Sequence, residues 1–343
     1  MVNSNESVVL VEITRGSIVE SRHRGMIAIV NPKNELASSL GDINFITYLR
    51  SSAKPHQAIS VILSGASEHF GFTKAELALM AGSHNGEPYH ADCAASILSK
   101  INLPYTALCC GVHKPFSHTA AKALGKQVNE LHNNCSGKHA GMLASAIVGK
   151  YSLEDYYKIE HPVQQAIANI IAEFAGINRQ DLIMAIDGCS AATFAISVRH
   201  MALIYARLVN PENLSSQLQK AANLITSAML EFPEMVASDT DRIDTDLMRA
   251  LPGQLVAKAG AEGVYTIGLL PSEKYPDGLG IAIKIEDGDI GRARNAAILA
   301  TVEQLGILSS SNMESLKAKY LPPITNHRGL HVGEIKPTLK LKA

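Results

Sequence analysis

The sequence lacks a surplus of charge of either sign. Of its 343 residues 18% are charged, and 31 Lys and Arg stand against 32 Asp and Glu, a formal net charge of −1. Without a basic excess the chain has no electrostatic footprint for nucleic acid or for an anionic membrane surface. No apolar run approaches the roughly 20 residues that a membrane span requires. The opening Met1-Val2-Asn3-Ser4-Asn5-Glu6 has neither the basic segment nor the apolar core of a secretory signal, so the expected location is cytoplasmic. Cysteine is scarce: five, an odd number, and with no export signal this argues against a disulfide framework. The glycine-rich pieces Gly260-Ala261-Glu262-Gly263 and Gly278-Leu279-Gly280 make no phosphate loop, because no G-x-x-x-x-G-K-[ST] occurs. There is no internal repeat and no low-complexity linker. What is present, with 46% hydrophobic residues, is the composition of a globular chain with a sizeable core.

Patterning places strands at both ends. Ser7 to Ile13 reads as a strand, Gly16 as a turn, Ser17 to His23 as its partner, and Met26 to Val30 as a third run closed by Asn31-Pro32-Lys33-Asn34. From Phe45 the period becomes helical. Thr73 with Glu76 forms a capping-box signature, and further helices are predicted over Tyr89–Ile101, Thr119–Leu131, the run after Cys135, Pro162 to Gly176, Ala195–Leu208 and Leu214–Leu230. Leu182–Ile186 reads as a short buried strand. Gln254–Lys258, Val264–Leu270 and Leu279–Ile285 follow as strands, then a helix from Asp289 to Gly306 and a less regular tail with an extended piece around His331 to Ile335. The expectation is an α/β chain acting as a single catalytic unit over 1–343. One mixed, mostly antiparallel sheet is formed by both termini, with a helical subregion of roughly 45–250 inserted between them.

Within this frame one stretch carries chemistry, Ser51-Ser52-Ala53-Lys54-Pro55. Ser51 and Lys54 form S-x-x-K, and residues three apart share a helix face. Pro55 places them in a first helical turn, where the dipole favours a developing anion. A serine hydroxyl becomes a nucleophile only when a base takes its proton, and lysine is such a base only when burial or a nearby cation lowers its pKa. Ser83-His84-Asn85 follows as S-x-N, and Lys258-Ala259-Gly260 as K-x-G. S-x-x-K, S-D-N and K-T-G in that order mark class A β-lactamases and penicillin-binding proteins; here His84 replaces the Asp and Ala259 the Thr.

A second constellation lies around Cys135-Ser136-Gly137-Lys138-His139 and Asp187-Gly188-Cys189. Two thiolates from distant segments, a nitrogen donor and a water could complete a four-coordinate zinc site. Spacing alone leaves two readings open, this one and a pair of buried structural thiols, and lysine is an unusual zinc ligand because it must first lose its proton.

Taken together, Arg50-Ser51-Ser52-Ala53-Lys54-Pro55, Gly82-Ser83-His84-Asn85-Gly86-Glu87, Asn134-Cys135-Ser136-Gly137-Lys138-His139, Asp187-Gly188-Cys189 and Lys258-Ala259-Gly260-Ala261-Glu262-Gly263 resemble the class 3, rhizobial-type L-asparaginases over nearly the whole chain. The resemblance implies the serine β-lactamase and glutaminase-like fold and hydrolysis of L-asparagine to L-aspartate and ammonia. It implies two catalytic Ser-Lys pairs, Ser51 with Lys54 and Ser83 with Lys258, and one zinc per chain on Cys135, Lys138 and Cys189. Asp187 and His139 would lie around metal and substrate, Arg50 would be a further substrate contact, and the chain would form a homodimer. Two rivals remain. One is a β-lactamase, peptidase or glutaminase-like serine hydrolase of the same fold acting on another amide. The other is a non-catalytic zinc-binding protein, against which the three intact serine-lysine motifs stand.

Overall fold

The computed structural model describes residues 6–342. Its main sheet is built from both ends of the chain. The strands are β1 (Val8–Arg15), β2 (Ile18–Val30) and β3 (Leu36–Leu40) from the first part. A short β4 (Ile46–Tyr48), β5 (Ile183–Ile186) and β6 (Ala192–Ser197) follow. Then come β7 (Leu255–Ala259), β8 (Val264–Leu269), β9 (Leu279–Ile285), β10 (Ile324–Thr325), β11 (His331–Gly333) and β12 (Ile335–Pro337). The large sheet runs β12-β1-β2-β9-β8-β7 with β3 also on β2, and each of its pairings is antiparallel. The strands expected at Ser17–His23 and Met26–Val30 are one continuous strand, β2. Gly25 between them is no turn; a Cβ there would collide with the Lys284 carbonyl of β9, so this glycine lets two strands approach.

The helices are α1 (Lys54–Leu63), α2 (Ala66–His69), α3 (Lys74–Met80), α4 (Pro88–Lys100), α5 (His118–Leu124) and α6 (Ser136–Gly149). After these come α7 (Pro162–Ala175), α8 (Val198–Val209), α9 (Ser216–Glu231), α10 (Pro233–Val236), α11 (Ile243–Ala250), α12 (Asn295–Leu305) and α13 (Ser310–Tyr320). The predicted capping box of α3 is present, with Thr73 and Glu76 exchanging side-chain and backbone bonds. Gly176 closes α7 in the left-handed conformation. Residues 54–61 of α1 are all buried, because α6, α7 and α9 pack around it. Helix α8 lies on β9, β8 and β2, and the glycine at 280 admits its backbone: a Cβ there would collide with the Ala202 carbonyl.

Four sequence expectations are corrected. The run read as a helix from Ala195 is strand β6 followed by α8, with Ser197 capping the helix by accepting from His200 N–H; a short apolar run has no period that separates strand from helix. With β4 and β5 it makes a second, three-stranded sheet inside the helical segment. Strand β5 is an edge strand with Ile183 and Ile186 48% and 73% exposed, not a buried one. The helix expected over Thr119–Leu131 ends at Leu124, where Gly125 takes a positive φ of 52°. Helix α13 was hidden because it buries only Met313 and Leu316, too few apolar positions to show a stripe. Among the described residues no helix is long and apolar enough to cross a membrane.

Candidate active site

Arg50–Ala53 is a single 3₁₀ turn that runs into α1, so Ser51 sits just before the helix and Lys54 at its first position, with Pro55 in the first turn. The turn is held from two sides. Leu49 N–H donates to Phe194 O of β6 (2.8 Å). On the other side Ser52 Oγ donates to Lys258 O (3.3 Å) and Tyr205 OH to Ser52 O (2.7 Å). The glycine of K-x-G explains the close approach: a Cβ at Gly260 would lie 2.8 Å from Leu49 O and 3.0 Å from Ser52 Oγ. Thus the end of β7 is pressed against the turn that carries Ser51.

Both motif lysines are buried. Lys54 is 1% exposed and donates to Asn134 O (2.9 Å), beside Cys135. Lys258 is 0% exposed and donates to Ala259 O (2.8 Å). Burial pushes the Lys258 pKa well below its ordinary value; the charges of Lys54 and Arg242 add to this, and Asp244 and Cys135 oppose it. Burial also lowers Lys54.

Ser83 follows α3 in a loop whose N–H groups bond the carbonyls of Val236 and Ala237. Its Oγ is buried and makes no hydrogen bond, a costly state for a hydroxyl and the one expected where a reacting group must bind. His84 is the inner member of the loop. Gly86 N–H donates to its Nδ1 (3.1 Å), which leaves the Nε2 proton for Ser136 Oγ (2.9 Å). Burial and the stacked His90 push His84 well below its ordinary pKa and keep it neutral.

Two residues that sequence reasoning missed tie this loop to β7. Arg242 Nη1 donates to Ser83 O (2.7 Å) and to Asn85 Oδ1 (2.8 Å), and its Nη2 faces Asp244 Oδ2 at 3.4 Å. Asp244, fully buried, accepts the Ala259 N–H. Their only sequence signal is the charged cluster Asp241-Arg242-Ile243-Asp244 at the start of α11.

Arg50 takes a left-handed backbone (φ 52°), an uncommon conformation for a residue with a side chain. Its Nε donates to Asp187 Oδ1 (2.7 Å), and its Nη1 lies 3.9 Å from Glu262. The cysteine constellation closes the site. Cys135 caps α6, and Lys138 in the first turn donates to Cys189 Sγ (3.0 Å). Cys135, Lys138 and Cys189 are each at most 5% exposed. The bond from Cys135 and the charge of Lys138 hold the Cys189 thiol far below its ordinary pKa. Burial opposes the charge of Lys138, but the two sulfurs and Asp187 together raise its pKa. His139 binds Tyr156 OH through Nδ1 (2.7 Å), and its Nε2 is buried without a partner.

The donors suit a soft four-coordinate cation. Two sulfurs and an amine meet in a buried place, with the unpartnered His139 nitrogen in the same helical turn. Among the described residues no cluster of three or more His, Cys, Asp and Glu could hold a metal ion.

Hydrogen bonds thus join the turn that carries Ser51 to Lys258, Arg50 to Asp187, Lys138 to Cys189, and the Ser83 loop to Ala259 through Arg242 and Asp244. The family model described as L-asparaginase II matches residues 11–337. The chain belongs to the L-asparaginase II family. Its chemistry is accordingly that of an amidohydrolase on a small-molecule substrate. No curated protein matches the chain. Solved structures similar to this L-asparaginase II family member include a probable glutaminase from Bacillus subtilis complexed with 6-diazo-5-oxo-L-norleucine. It shows 13% identity and a TM-score of 0.40 over 83% of this chain and 85% of that one. A Bacillus glutaminase determined in 4.3 M NaCl shows 12% identity and a TM-score of 0.40 over 83% and 91%.

Proposed function

We propose that this protein hydrolyses L-asparagine to L-aspartate and ammonia through an acyl-enzyme on Ser51. The observation that carries the reading is the joining of three motifs by hydrogen bonds, one direct and one through two intervening side chains. The Ser51 turn is bonded to Lys258 O, and the Ser83 loop is tied to Ala259 through Arg242 and Asp244. Membership of the family supplies the reaction class.

In this reading a neutral lysine receives the Ser51 Oγ proton as the oxygen attacks the carboxamide carbon. Lysine with its ordinary pKa of about 10.4 is a poor base at neutral pH, and the burial of Lys258 removes that obstacle. The oxyanion of the tetrahedral intermediate is stabilised by the N–H groups of Ser51 and Ala261. The lysine returns its proton to the amide nitrogen, the C–N bond breaks and ammonia leaves. Water, deprotonated by the same group, attacks the Ser51 ester and frees aspartate. Ser83 and Lys258 form the second pair, through which the proton is passed. Arg50 and Asp187 offer one cation and one anion, the match for a zwitterionic amino acid, with His139 beside them.

Cys135, Lys138 and Cys189 would hold one zinc per chain. When bound, the ion supplies a fixed positive charge close to the lysines, which favours their neutral forms. The reading also includes a homodimer. It is supported by the apolar side chains that the small sheet leaves exposed, Ile46, Tyr48 and Ile183, and sedimentation equilibrium tests it. The activity itself is tested by measuring ammonia and aspartate release from L-asparagine beside L-glutamine, with and without a chelator. Turnover of asparagine well above glutamine is expected. No ammonia from asparagine, or hydrolysis of nitrocefin instead, would reject the reading.

A further inference from the structure

We propose that Arg242 and Asp244 form a positioning strut that holds the Ser83 loop and the Lys258 strand in register, so that the second serine-lysine pair works as one unit. The inference deepens the amidohydrolase reading and rests on it for its catalytic half.

Ser83 and Lys258 come from unrelated parts of the chain and neither fixes the other. Ser83 follows α3 in a loop that belongs to no helix or strand. Lys258 lies on β7, the last strand in the sheet order, whose outer edge has no strand partner among the described residues. A free edge can shift unless its N–H groups are occupied. Asp244 occupies one: its Oδ1 accepts from Ala259 N–H, next to Lys258. Its second oxygen faces Arg242 Nη2 at 3.4 Å. The guanidinium then reaches across with Nη1 to the Ser83 carbonyl (2.7 Å) and the Asn85 side-chain oxygen (2.8 Å). Two rigid planar groups thus span the gap between the catalytic segments.

Arginine suits this task because its planar fork offers several donors in fixed directions, which a lysine cannot reproduce. Both members are well placed to be rigid. Asp244 is 0% exposed, and it opens a helix that packs on β7. The Arg242 side chain is 16% exposed. The strut has an electrostatic side too. Asp244 raises the Lys258 pKa, against burial and the charges of Lys54 and Arg242. Burial opposes the Asp244 carboxylate, yet the charges of Arg242 and Arg294 and the Ala259 N–H keep it ionised.

The test uses the full chain with Arg242→Lys and Asp244→Asn. Fold is checked by circular dichroism and thermal melting, hydrogen–deuterium exchange is mapped over residues 82–86 and 257–260, and kcat and KM are measured separately. Arg242→Lys keeps the charge but not the fork. Exchange should rise in both segments, and kcat should fall by on the order of a hundredfold, the scale of a misplacement of about 1 Å, with KM little changed. Asp244→Asn keeps an acceptor for Ala259 N–H but turns an NH2 group toward Arg242 Nη2, so it should stay folded and raise exchange more over residues 82–86 than over 257–260. Unchanged exchange at both segments in folded Arg242→Lys overturns the strut, whatever the activity. Raised exchange with unaltered kcat overturns its catalytic role. A wild type that releases no ammonia from asparagine would instead reject the function, and the exchange data would still decide whether the strut exists.

Discussion

Replacing Lys258 by methionine should stabilise the fold while removing activity. The side chain is 0% exposed and its amine makes one hydrogen bond, to Ala259 O. Burial lowers its pKa well below the ordinary value, more than Asp244 raises it. In the unfolded chain the same amine titrates near about 10.4. At any pH between the folded and unfolded values, the unfolded chain therefore binds a proton that the folded one does not. Stability then rises with pH across that window, by up to about 1.4 kcal/mol per unit, and the penalty disappears only above the unfolded pKa. Methionine has similar length and no titrating group. It removes the cost of burying a polar amine, about 1–3 kcal/mol on mutational scales, and gives up one hydrogen bond of about 1 kcal/mol. These two terms leave a gain of about 0–2 kcal/mol; loss of the deprotonation penalty adds to it at neutral pH, and stability should rise less from pH 7 to 9 than in wild type. Urea unfolding at several pH values measures both. A variant less stable than wild type at neutral pH, with the same pH slope, would show that the folded amine is charged and paired. That outcome would refute a neutral Lys258 base.

Other expectations concern packing and the metal. Gly260→Ala should cost about 1–3 kcal/mol, the usual range for overpacking, and lower kcat, because its Cβ meets Leu49 O and Ser52 Oγ at 2.8 and 3.0 Å. Gly291→Ala, with nothing within 4 Å of its Cβ, is the matched control; equal melting temperatures for the two would contradict the packing argument. Wild-type protein should bind one zinc per chain, and Cys135→Ser and Cys189→Ser should each lose it, as metal analysis after dialysis will show. Zinc uptake should weaken as pH falls, because thiol and amine ligands must shed protons to bind. Equal zinc in all three proteins, or none in wild type, would return Cys135 and Cys189 to the status of buried thiols.

The serine-lysine motifs were legible because their chemistry demands particular residue types at short spacings. Ser51 and Lys54 are one turn apart, and Pro55 marks where that turn must lie. Strand alternation and turn residues located both ends of the large sheet. The small sheet was not legible: Ala192–Ser197 is an apolar run with helical and extended readings of equal merit, decided by pairing with Ile46–Tyr48 far upstream. Arg242 and Asp244 were invisible for a related reason. Their partners are Ser83, Asn85 and Ala259, and no local spacing encodes a hydrogen bond between segments so far apart. For Cys135 and Cys189, spacing alone favoured buried thiols, and only the family resemblance pointed to ligands. The fold brings Lys138 onto Cys189, a contact the sequence could not display.

The acyl-enzyme on Ser51 is tested most directly by acid-quenching the protein during turnover of L-asparagine and mapping its peptides by mass spectrometry. An aspartyl ester is expected on the peptide that contains Ser51, and folded Ser51→Ala should carry none and should lose ammonia release by several orders of magnitude. An ester on Ser83 instead, or near-wild-type ammonia release by Ser51→Ala, would contradict the mechanism.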